Sequence, residues 1–599
     1  MTERLIRPLR LPLALLAVSA LLWGCSSAPQ KPQEPEQPPQ ETVEIKPVLD
    51  PFTLPPSEHG AAFAEAEAAL ARFDWLRASA ALEPLTGQIS SADDYSYLQY
   101  LEARIDYLRG NPATALERLA MDSGSVNPAI RYRRLSFEQH IRALSGESLA
   151  AAQLASDILT MLPPDAVPAW RRQLWLDLQR AKTAQLHAAF AASTDPTWRA
   201  WLELALISRE PAASRNAELR RWQSDNPGHV AANPLPGGLD YLLNPLPAPE
   251  RVALLLPLSD RLAPAGRAVL DGYLAAWYQQ RAAGAPTPQL EILDTTTYAD
   301  TSAAYDEALR RGARLVIGPL HKEGVADLLA RPDRSIPVLA LNRVDGGLPP
   351  SGSALIQASL SADDEAARVA ELAFGQGARS ALLVRPSGDW GVRMEDALTR
   401  RWAQLGGNIA ATAVFSTQET YSDSLKDSLG IDASRQRARG VRDMLAQNIE
   451  FTPRRRQDID AVFLLARNGA QARSIKPLLP FHYAGGLPVY ATSSIYSGVA
   501  DSGNRDLNGV QLVDMPWLLG GSPALRVTLA TADIDNSRYT RLNALGADAY
   551  LLQSEFSRLQ AGPDALLRGN TGLLTLSPDL HLLRETSPAA FDGGVVAPR

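Results

Sequence analysis

Cysteine and histidine, the residues on which most metal and redox sites depend, are scarce in this chain. Cys25 is the only cysteine among 599 residues, which excludes a disulfide framework and a CxxC metal or redox pair. The seven histidines include no pair at the spacing of a zinc site. We therefore predict that the protein binds no metal.

Motifs of the common enzyme classes are missing as well. The sequence has no GxSxG elbow, no Walker loop and no GxGxxG after a predicted strand. These absences predict no cofactor and no catalytic residue. A hydrolase that works with two scattered carboxylates would leave no such motif, so that class stays open.

The chain also lacks an excess of positive charge. Lys and Arg number 59 against 66 Asp and Glu, which gives a formal net charge of -7. A polyphosphate partner requires the opposite sign, so nucleic acid is not expected as a partner. The length and a hydrophobic content of 45% predict a folded protein of two to four domains.

A long hydrophobic run is also absent. The apolar run from Leu11 to Leu22 has 12 residues, whereas a membrane-spanning helix needs about 20. Three arginines, Arg4, Arg7 and Arg10, come before it. Basic residues followed by a short apolar run are typical of a secretory signal peptide, which we place at residues 1–24.

The run ends in LLWGC (Leu21 to Cys25), which resembles a bacterial lipobox. In that motif the cysteine receives a diacylglycerol, and an aspartate after it marks retention in the inner membrane. Ser26 and Ser27 follow here. The resemblance therefore implies lipid attachment at Cys25 and a location in the outer membrane, on its periplasmic side.

Residues 25–59 are predicted to form a tether between that anchor and the first folded domain. Nine prolines lie between residues 26 and 56, among Gln and Glu. Such a composition cannot form a packed core and favours a stiff, extended chain. A long tether suggests a partner at some distance from the membrane.

Residues 60–245 are rich in Ala, Leu, Arg and Glu at helical spacing. ALEPL (Ala81 to Leu85) recurs as ALERL (Ala115 to Leu119), 34 residues further on, which is the length of a tetratricopeptide-type (TPR) helix pair. Stacked pairs of this kind offer an extended surface to another macromolecule. Trp198 and Trp201 fall at helical spacing, and we interpret them as core residues.

From residue 250 to 599 the pattern changes to apolar runs of strand length that alternate with helical segments. This alternation predicts parallel sheets covered by helices on both faces, arranged as two lobes about a cleft. We place lobe 1 at about 250–358 and 505–560, and lobe 2 at about 359–500 and 565–599. The predicted strands are VALLLPL (Val252 to Leu258), LEIL (Leu290 to Leu293), LVIGPL (Leu315 to Leu320), PVLAL (Pro337 to Leu341), SALLV (Ser380 to Val384), Ile409 to Phe415, DAVFLLA (Asp460 to Ala466) and PVYATS (Pro488 to Ser493).

Several of these segments resemble the penicillin-binding protein activator family called LpoA. They are VALLLPLSDRLAPAGRAVLDGYLAAWY (Val252 to Tyr278), LVIGPL, RRRQDIDAVFLLA (Arg454 to Ala466), LPVYATSSIYSG (Leu487 to Gly498) and RLNALGADAYLL (Arg541 to Leu552). That family joins a lipobox, a TPR-like domain and a C-terminal domain with the fold of type I periplasmic binding proteins. The order is the same here. The resemblance implies a lipoprotein that stimulates a class A penicillin-binding protein and so promotes peptidoglycan synthesis.

Ligands of open α/β sheets lie beyond the carboxyl ends of the strands. Seven residues at these ends are therefore candidates for lining the cleft: Ser259, Pro319, Asn342, Arg385, Ser387, Thr492 and Ser493. The alternative is ordinary turn chemistry, in which the serines act as helix caps.

Two charged segments are given a structural interpretation. Asp363, Asp364 and Glu365 lie where a helix should begin, so they are expected to complement its dipole. The arginines at 435, 437, 439, 442 and 454–456 are expected to form a solvated helix face, because Asp423, Asp427, Asp432 and Asp458 lie nearby in the sequence.

Three hypotheses for function follow. The first is a regulator that performs no reaction and activates a class A penicillin-binding protein. The second is a lipoprotein that closes two lobes on a small metabolite or muropeptide. The third is a peptidoglycan-processing enzyme.

Overall fold

The computed structural model describes residues 50–121, 127–244, 247–344, 354–447, 450–532, 539–561 and 565–599. The predicted signal peptide, Cys25 and the tether up to residue 49 lie outside these ranges. Within them, each helix is either too short or too polar to cross a lipid bilayer.

An array of helices occupies residues 60–243. Caps supplied by the sequence begin several of them: Asp74, Ser91 and Asn127 each accept a hydrogen bond from a backbone N–H of the first turn. The helices are α1 (Gly60–Leu70), α2 (Trp75–Leu82), α3 (Ala92–Leu108), α4 (Pro112–Ala120), α5 (Pro128–Leu144), α6 (Ser148–Leu159), α7 (Val167–Arg180), α8 (Thr183–Ala192), α9 (Pro196–Ile207), α10 (Ala212–Asp225) and α11 (Asp240–Leu243).

The two copies of the repeat seen in the sequence share a buried leucine at their last position. Leu85 and Leu119 end the two related pentapeptides, and both are buried. Consecutive helices pack against each other, as in a helical repeat. Trp198 and Trp201 are 5% and 0% exposed, so their interpretation as core residues is confirmed.

The first sheet of the α/β half has the order β11-β12-β13-β5-β4-β3-β1-β2. Strands β1 to β5 are parallel, and β13 pairs in parallel with β5, while β12 pairs antiparallel with both β11 and β13. Its elements are β1 (Arg251–Leu256), α12 (Ala263–Ala282), β2 (Gln289–Asp294), α13 (Thr301–Arg310), β3 (Leu315–Ile317), α14 (Lys322–Ala330), β4 (Val338–Ala340), β5 (Leu355–Ala358), and, from the end of the chain, β11 (Leu566–Arg568), β12 (Leu573–Leu576) and β13 (His581–Glu585).

The second sheet has the order β15-β14-β10-β9-β8-β6-β7. Its five parallel strands follow the same 2-1-3-4-5 order as those of the first sheet, which is a common doubly wound order. Its elements are α15 (Ala362–Gly375), β6 (Ser380–Pro386), α16 (Asp389–Leu405), β7 (Asn408–Phe415), α17 (Tyr421–Ser428), α18 (Ile431–Leu445), β8 (Ala461–Leu464), α19 (Gly469–Ile475), α20 (Leu478–Phe481), β9 (Val489–Ala491), β10 (Gln511–Asp514), β14 (Ser587–Asp592) and β15 (Val595–Pro598).

Strand pairing corrects the predicted division into lobes at two places. The segment that forms β10 was expected in lobe 1, yet β10 pairs with β9 and β14 of the second sheet. The segment that forms β11 to β13 was expected in lobe 2, yet these strands extend the first sheet beside β5. Three helices complete this half: α21 (Pro523–Thr531), α22 (Thr540–Ser554) and α23 (Phe556–Ala561). The chain crosses between the lobes three times, as predicted, but two of the crossings lie at other positions: between β10 and α22, and between β13 and β14.

Helix α22 belongs with the first lobe. It lies so close to α12 that a Cβ on Gly272 would stand 1.9 Å from the carbonyl oxygen of Asn543, and one on Gly546 would stand 2.0 Å from that of Val269. Only glycine permits backbones to approach in this way. The chain passes from lobe 2 to lobe 1 between β10 and α22.

The helical array is attached to lobe 2 by apolar packing and by backbone contact. One core cluster contains Tyr107 of α3 together with Phe374, Trp402 and Phe463 of lobe 2. Arg379, which is 9% exposed, donates hydrogen bonds to the carbonyl oxygen of Tyr107 from Nε (3.0 Å) and from a terminal nitrogen. Burial lowers the pKa of Arg379 to about 10.

The other end of the array is attached to lobe 1 by Leu566 and Leu573, which pack with apolar residues of the array, and by polar contacts. Arg180 of α7 holds both carboxylate oxygens of Glu585, each at 2.8 Å, and Arg368 of α15 lies 3.2 Å from the same carboxylate. Arg568 donates to the carbonyl oxygen of Gln179, and Arg558 donates to that of Gly237. The array therefore contacts both lobes.

Candidate functional site

A cavity of about 340 Å³ lies where the chain crosses between the lobes. One side comes from residues that follow strands β6, β8 and β9 of the second sheet. The other side comes from the start of α15 and the start of α22. Its lining residues are Leu360, Ala362, Glu365, Trp390, Arg467, Thr492, Ser493, Ser494 and Arg541. This placement beyond the carboxyl ends of parallel strands is where open α/β sheets bind ligands.

Glu365 lines the cavity and accepts hydrogen bonds from residues of both lobes. It is 7% exposed, and its carboxylate accepts a hydrogen bond from the Ser493 hydroxyl (2.6 Å) and one from the Arg584 guanidinium (2.9 Å). Arg584 belongs to β13 of the first sheet, whereas Ser493 follows β9 of the second. The carboxylate therefore links the two lobes through charge-assisted hydrogen bonds.

Asp514 and Arg541 form a second link at the same crossing. Asp514 ends β10 and is fully buried, and its Oδ2 lies 2.6 Å from a terminal nitrogen of Arg541. The same guanidinium donates to the backbone oxygen of Ser493 (3.1 Å). Burial raises the pKa of Asp514 to about 6, although Arg541 opposes this shift, and the nearby Glu365 adds to it.

Two cations in the cavity retain capacity for a ligand. Arg541 Nε is buried and has no hydrogen-bond partner among the described residues. Arg467 is exposed and lies over the Trp390 ring, 5.6 Å from its centroid. Two guanidinium groups beside an indole wall suit an anionic group attached to an apolar body.

Two of the seven cleft candidates line this cavity. Thr492 is 2% exposed and Ser493 is 6% exposed. The hydroxyl of Thr492 hydrogen-bonds that of Ser494 (2.8 Å). Both side chains are thus already engaged within the protein, and what they would contact in a ligand stays a prediction.

The three candidates of lobe 1 lie outside the lining of this cavity. Ser259 donates its hydroxyl hydrogen to Asp294. Pro319 is buried, and its carbonyl oxygen accepts from the Leu341 N–H (2.9 Å). The Asn342 side-chain amide donates to the Leu320 carbonyl oxygen (2.8 Å). These contacts are local to the strand ends, as in the alternative interpretation, but Ser259 does not cap a helix, because α12 begins without a side-chain cap.

Arg385 and Ser387 in lobe 2 are also outside the lining. Arg385 forms an ion pair with Glu395 of α16. Ser387 is exposed, and its backbone N–H donates to the Phe415 carbonyl oxygen (2.7 Å). Both contacts hold β6, β7 and α16 together within one lobe.

Seven of the nine lining residues were not among the sequence candidates, and four of these seven carry a charge or an aromatic ring: Glu365, Trp390, Arg467 and Arg541. Glu365 was interpreted only as part of a first-turn acidic cluster, and that interpretation is incomplete because its carboxylate is bound by Ser493 and Arg584. Arg467 directly follows the predicted strand DAVFLLA, so the strand-end rule that selected Thr492 could have found it. Arg541 opens the segment RLNALGADAYLL, but only tertiary structure brings that helix to the cavity.

Metal ligands are not grouped in the described part of the chain. Across its ranges, no set of three or more His, Cys, Asp or Glu side chains is placed to hold a metal ion.

Comparison with known proteins decides the family. A family model described as "LppC putative lipoprotein" matches residues 60–594, which is most of the chain. The chain belongs to the LppC family. The family model matches both the helical array and the α/β half of the chain. Together with the relatives described next, this match confirms the resemblance to LpoA drawn from the sequence.

Relatives of this LppC chain include proteins named penicillin-binding protein activator LpoA. The protein of Photobacterium profundum is 27% identical over 533 residues, which is 88% of this chain and 86% of that protein. The protein of Vibrio antiquarius is 28% identical over 428 residues, or 69% and 70% of the two chains. Both thus match this chain over more than two thirds of their length.

A solved structure shows the same fold as this LppC chain. The crystal structure of full-length LpoA from Haemophilus influenzae covers 90% of this chain and 94% of its own, with a TM-score of 0.51 and 22% identity. The predicted fold class is thereby confirmed: a TPR-like helical array is followed by a two-lobed α/β domain of the type I periplasmic-binding-protein kind.

Proposed function

We propose that this protein binds and activates a class A penicillin-binding protein and so stimulates peptidoglycan synthesis. The observation that carries the proposal is the family match over residues 60–594, together with relatives named as penicillin-binding protein activators over most of their length. The helical array supports it, because stacked helix pairs provide extended binding surfaces.

We infer that the protein acts as a regulator and performs no reaction itself. An activator changes the rate of another protein only if it binds the active state more tightly than the inactive state. A tenfold stimulation, for example, requires a difference of about 1.4 kcal/mol between the two affinities. A few well-placed contacts are enough to supply it.

The position in the cell is part of the proposal. Cys25 would carry the lipid in the outer membrane, and the proline-rich segment that follows would let the folded body reach a synthase on the periplasmic side. The description of the family as lipoproteins supports the anchor. Labelling with a radioactive fatty acid should mark the wild-type protein and leave the Cys25→Ala variant unlabelled. Equal labelling of both would contradict the anchor.

The main test is reconstitution with purified proteins. Adding the mature chain to a class A penicillin-binding protein should raise its rate of peptide cross-linking on lipid-linked precursor. Heat-denatured protein serves as the control for carrier effects. Unchanged rates with several class A synthases would contradict the proposal.

The cavity supports a second function, the binding of a small anionic molecule. Its volume of about 340 Å³ and the guanidinium groups of Arg467 and Arg541 favour a ligand with a carboxylate and an apolar body. A thermal-shift screen of amino acids, aromatic acids and muropeptides should find compounds that raise the melting temperature of the wild type and fail with Arg467→Ala. A screen in which no compound raises it would leave the regulator as the only proposal.

A further inference from the structure

Helix α18 extends beyond the body of lobe 2. Its residues Ile431, Ser434 and Ala438 are buried against the lobe, at 0%, 6% and 8% exposure. From Arg439 to its end at Leu445, every residue of the helix is exposed. The last two turns therefore project into solvent.

The buried stripe of α18 continues along these exposed turns. Ile431, Ser434, Ala438, Val441 and Leu445 follow one another at spacings of three, four, three and four residues, which is the pattern of a coiled-coil seam. The first three contact the lobe, whereas Val441 is 45% and Leu445 is 53% exposed. Beside the seam, Met444 is 84% exposed. A helix that was only a solvated surface element would carry polar residues at the seam positions in its projecting part.

Arginines line this exposed seam. The sequence suggested that nearby aspartates would balance them, and the structure confirms this for Arg435 and Arg456 only. Asp432 contacts Lys426 and Arg435, Asp423 contacts Lys426, and Asp458 contacts Arg456. Within the described ranges, the remaining arginines of α18 have no ion pair: Arg437, Arg439 and Arg442.

We propose that the exposed turns of α18, residues 439–445 with Arg437, form a docking surface for an apolar, carboxylate-flanked surface on the partner protein. The inference rests on the proposed function, because it takes that partner to be the penicillin-binding protein. Helices with such a seam bind by placing their apolar anchors in a groove, and flanking charges select the partner.

Charge and the width of the seam favour an acidic protein surface over a second copy of the chain or a membrane as the occupant of this docking surface. Pairing with a second copy of the chain would place arginines against arginines, which is unfavourable for coiled-coil flanks. A membrane would require a wide apolar face, and the seam of α18 is narrower than that of a membrane-binding helix. An acidic protein surface meets neither obstacle.

The test uses the full mature chain and two variants. The seam variant carries Val441→Gln and Leu445→Gln, and the charge variant carries Arg437→Glu, Arg439→Glu and Arg442→Glu. Matched controls are Val527→Gln in α21, whose side chain is 61% exposed, and Arg400→Glu in α16, an exposed arginine. All substituted side chains are exposed, so circular dichroism and melting temperature should match the wild type.

Binding of a class A penicillin-binding protein is measured by biolayer interferometry at two salt concentrations. Each α18 variant should raise Kd by at least about tenfold, whereas both controls should stay within about twofold of the wild type. The affinity of the charge variant should also depend less on salt. Hydrogen exchange should show that residues 439–445 become protected in the wild-type complex.

Four results would overturn the inference. Wild-type binding with unchanged Kd in both variants would reject the docking surface and leave the proposed function intact. Failure of the wild type to bind any class A synthase would reject both. Dimerisation lost in the seam variant, with synthase binding retained, would identify a second copy as the occupant. Binding of phosphatidylglycerol vesicles lost in the seam variant, again with synthase binding retained, would identify a membrane.

Discussion

The helical array is held to the two lobes by different kinds of contact. On lobe 2 it shares an apolar core, and turns of the two domains touch backbone to backbone: a Cβ on Gly375 would stand 2.0 Å from the Leu144 carbonyl oxygen. On lobe 1, Leu566 and Leu573 pack with apolar residues of the array, and the carboxylate of Glu585 binds Arg180 of the array and Arg368 of lobe 2. Apolar and backbone contacts depend little on pH, whereas a buried ion pair is lost when its acid is protonated. The two attachments should therefore respond differently to mutation and to pH.

Arg379→Ala should have the largest effect, because it breaks the lobe 2 attachment at its centre. The guanidinium donates to carbonyl oxygens of Tyr107, Phe374 and Ala378, and it lies 3.6 Å from the Phe374 ring centroid. Losing these contacts and leaving a cavity should lower the free energy of unfolding by about 4 kcal/mol. Urea denaturation followed by circular dichroism measures it. The exposed control Arg400→Ala should change it by less than about 0.5 kcal/mol, and a similarly small loss for Arg379→Ala would show that this attachment is not structural.

Gly375→Ala tests the backbone contact of the same attachment. The new methyl group would collide with the Leu144 carbonyl oxygen, and a backbone atom cannot move aside as a flexible side chain can. We expect a loss of about 3 kcal/mol in the same assay. Gly440→Ala in α18 is the matched control, since it has open space around it and should stabilise the helix by about 0.5 kcal/mol. Equal behaviour of the two variants would disprove the close approach.

Glu585→Gln breaks the lobe 1 attachment. Burial alone would raise the pKa of Glu585, but Arg180 and Arg368 outweigh it and lower the pKa from 4.5 to about 2. The wild type therefore holds this stabilisation above pH 4.5 and loses it as the pH falls towards 2. At neutral pH the variant should be less stable by about 2 kcal/mol, part of the roughly 3 kcal/mol that the pKa shift represents.

The pH series is the decisive readout for Glu585. Between pH 4.5 and 2 the variant should lose less stability than the wild type, because the titrating group is gone. Asp333→Asn removes an exposed carboxylate that pairs with Arg331, and at neutral pH it should lower the stability much less than Glu585→Gln does. A variant whose loss grows as the pH falls would contradict the sign of the shift.

The comparison also explains what the sequence could and could not predict. The parallel strands with continuous apolar runs, such as β1 and β8, were predicted within a few residues, because a strand buried on both faces has a strong signal. Strands β5 and β10 were missed although they are buried throughout, because Gln357, Gln511 and Asp514 interrupt their apolar runs. Strands β11 to β15 were missed because antiparallel strands alternate in burial, as β13 does, and short alternating runs resemble loops.

Contacts between distant segments were beyond prediction for a different reason. Arg180 and Glu585 meet across 405 residues, and neither carries a local signal for the other. The cavity shows the same division: Thr492 and Ser493 follow from a strand-end rule, whereas Glu365 and Arg541 depend on where the chain crosses between lobes. The local sequence pattern determines the helices and strands, whereas the pairing of distant segments determines which residues line the cavity.

Asp514→Asn should have the smallest effect on stability among these variants. The pKa shift of Asp514 also has the opposite sign to that of Glu585. Burial raises its pKa from 3.8 to about 6, so its contribution to stability is greatest below pH 3.8 and is lost as the pH rises through 6. At neutral pH, Asp514→Asn should change the free energy of unfolding by less than about 1 kcal/mol, because relief of a buried charge offsets loss of the Arg541 pair. Its signature is a flatter dependence of the urea midpoint on pH between 6 and 3.8 than in the wild type. Equal slopes would mean that Asp514 titrates normally and that the link between the lobes, unlike the attachment through Glu585, is insensitive to pH in this range.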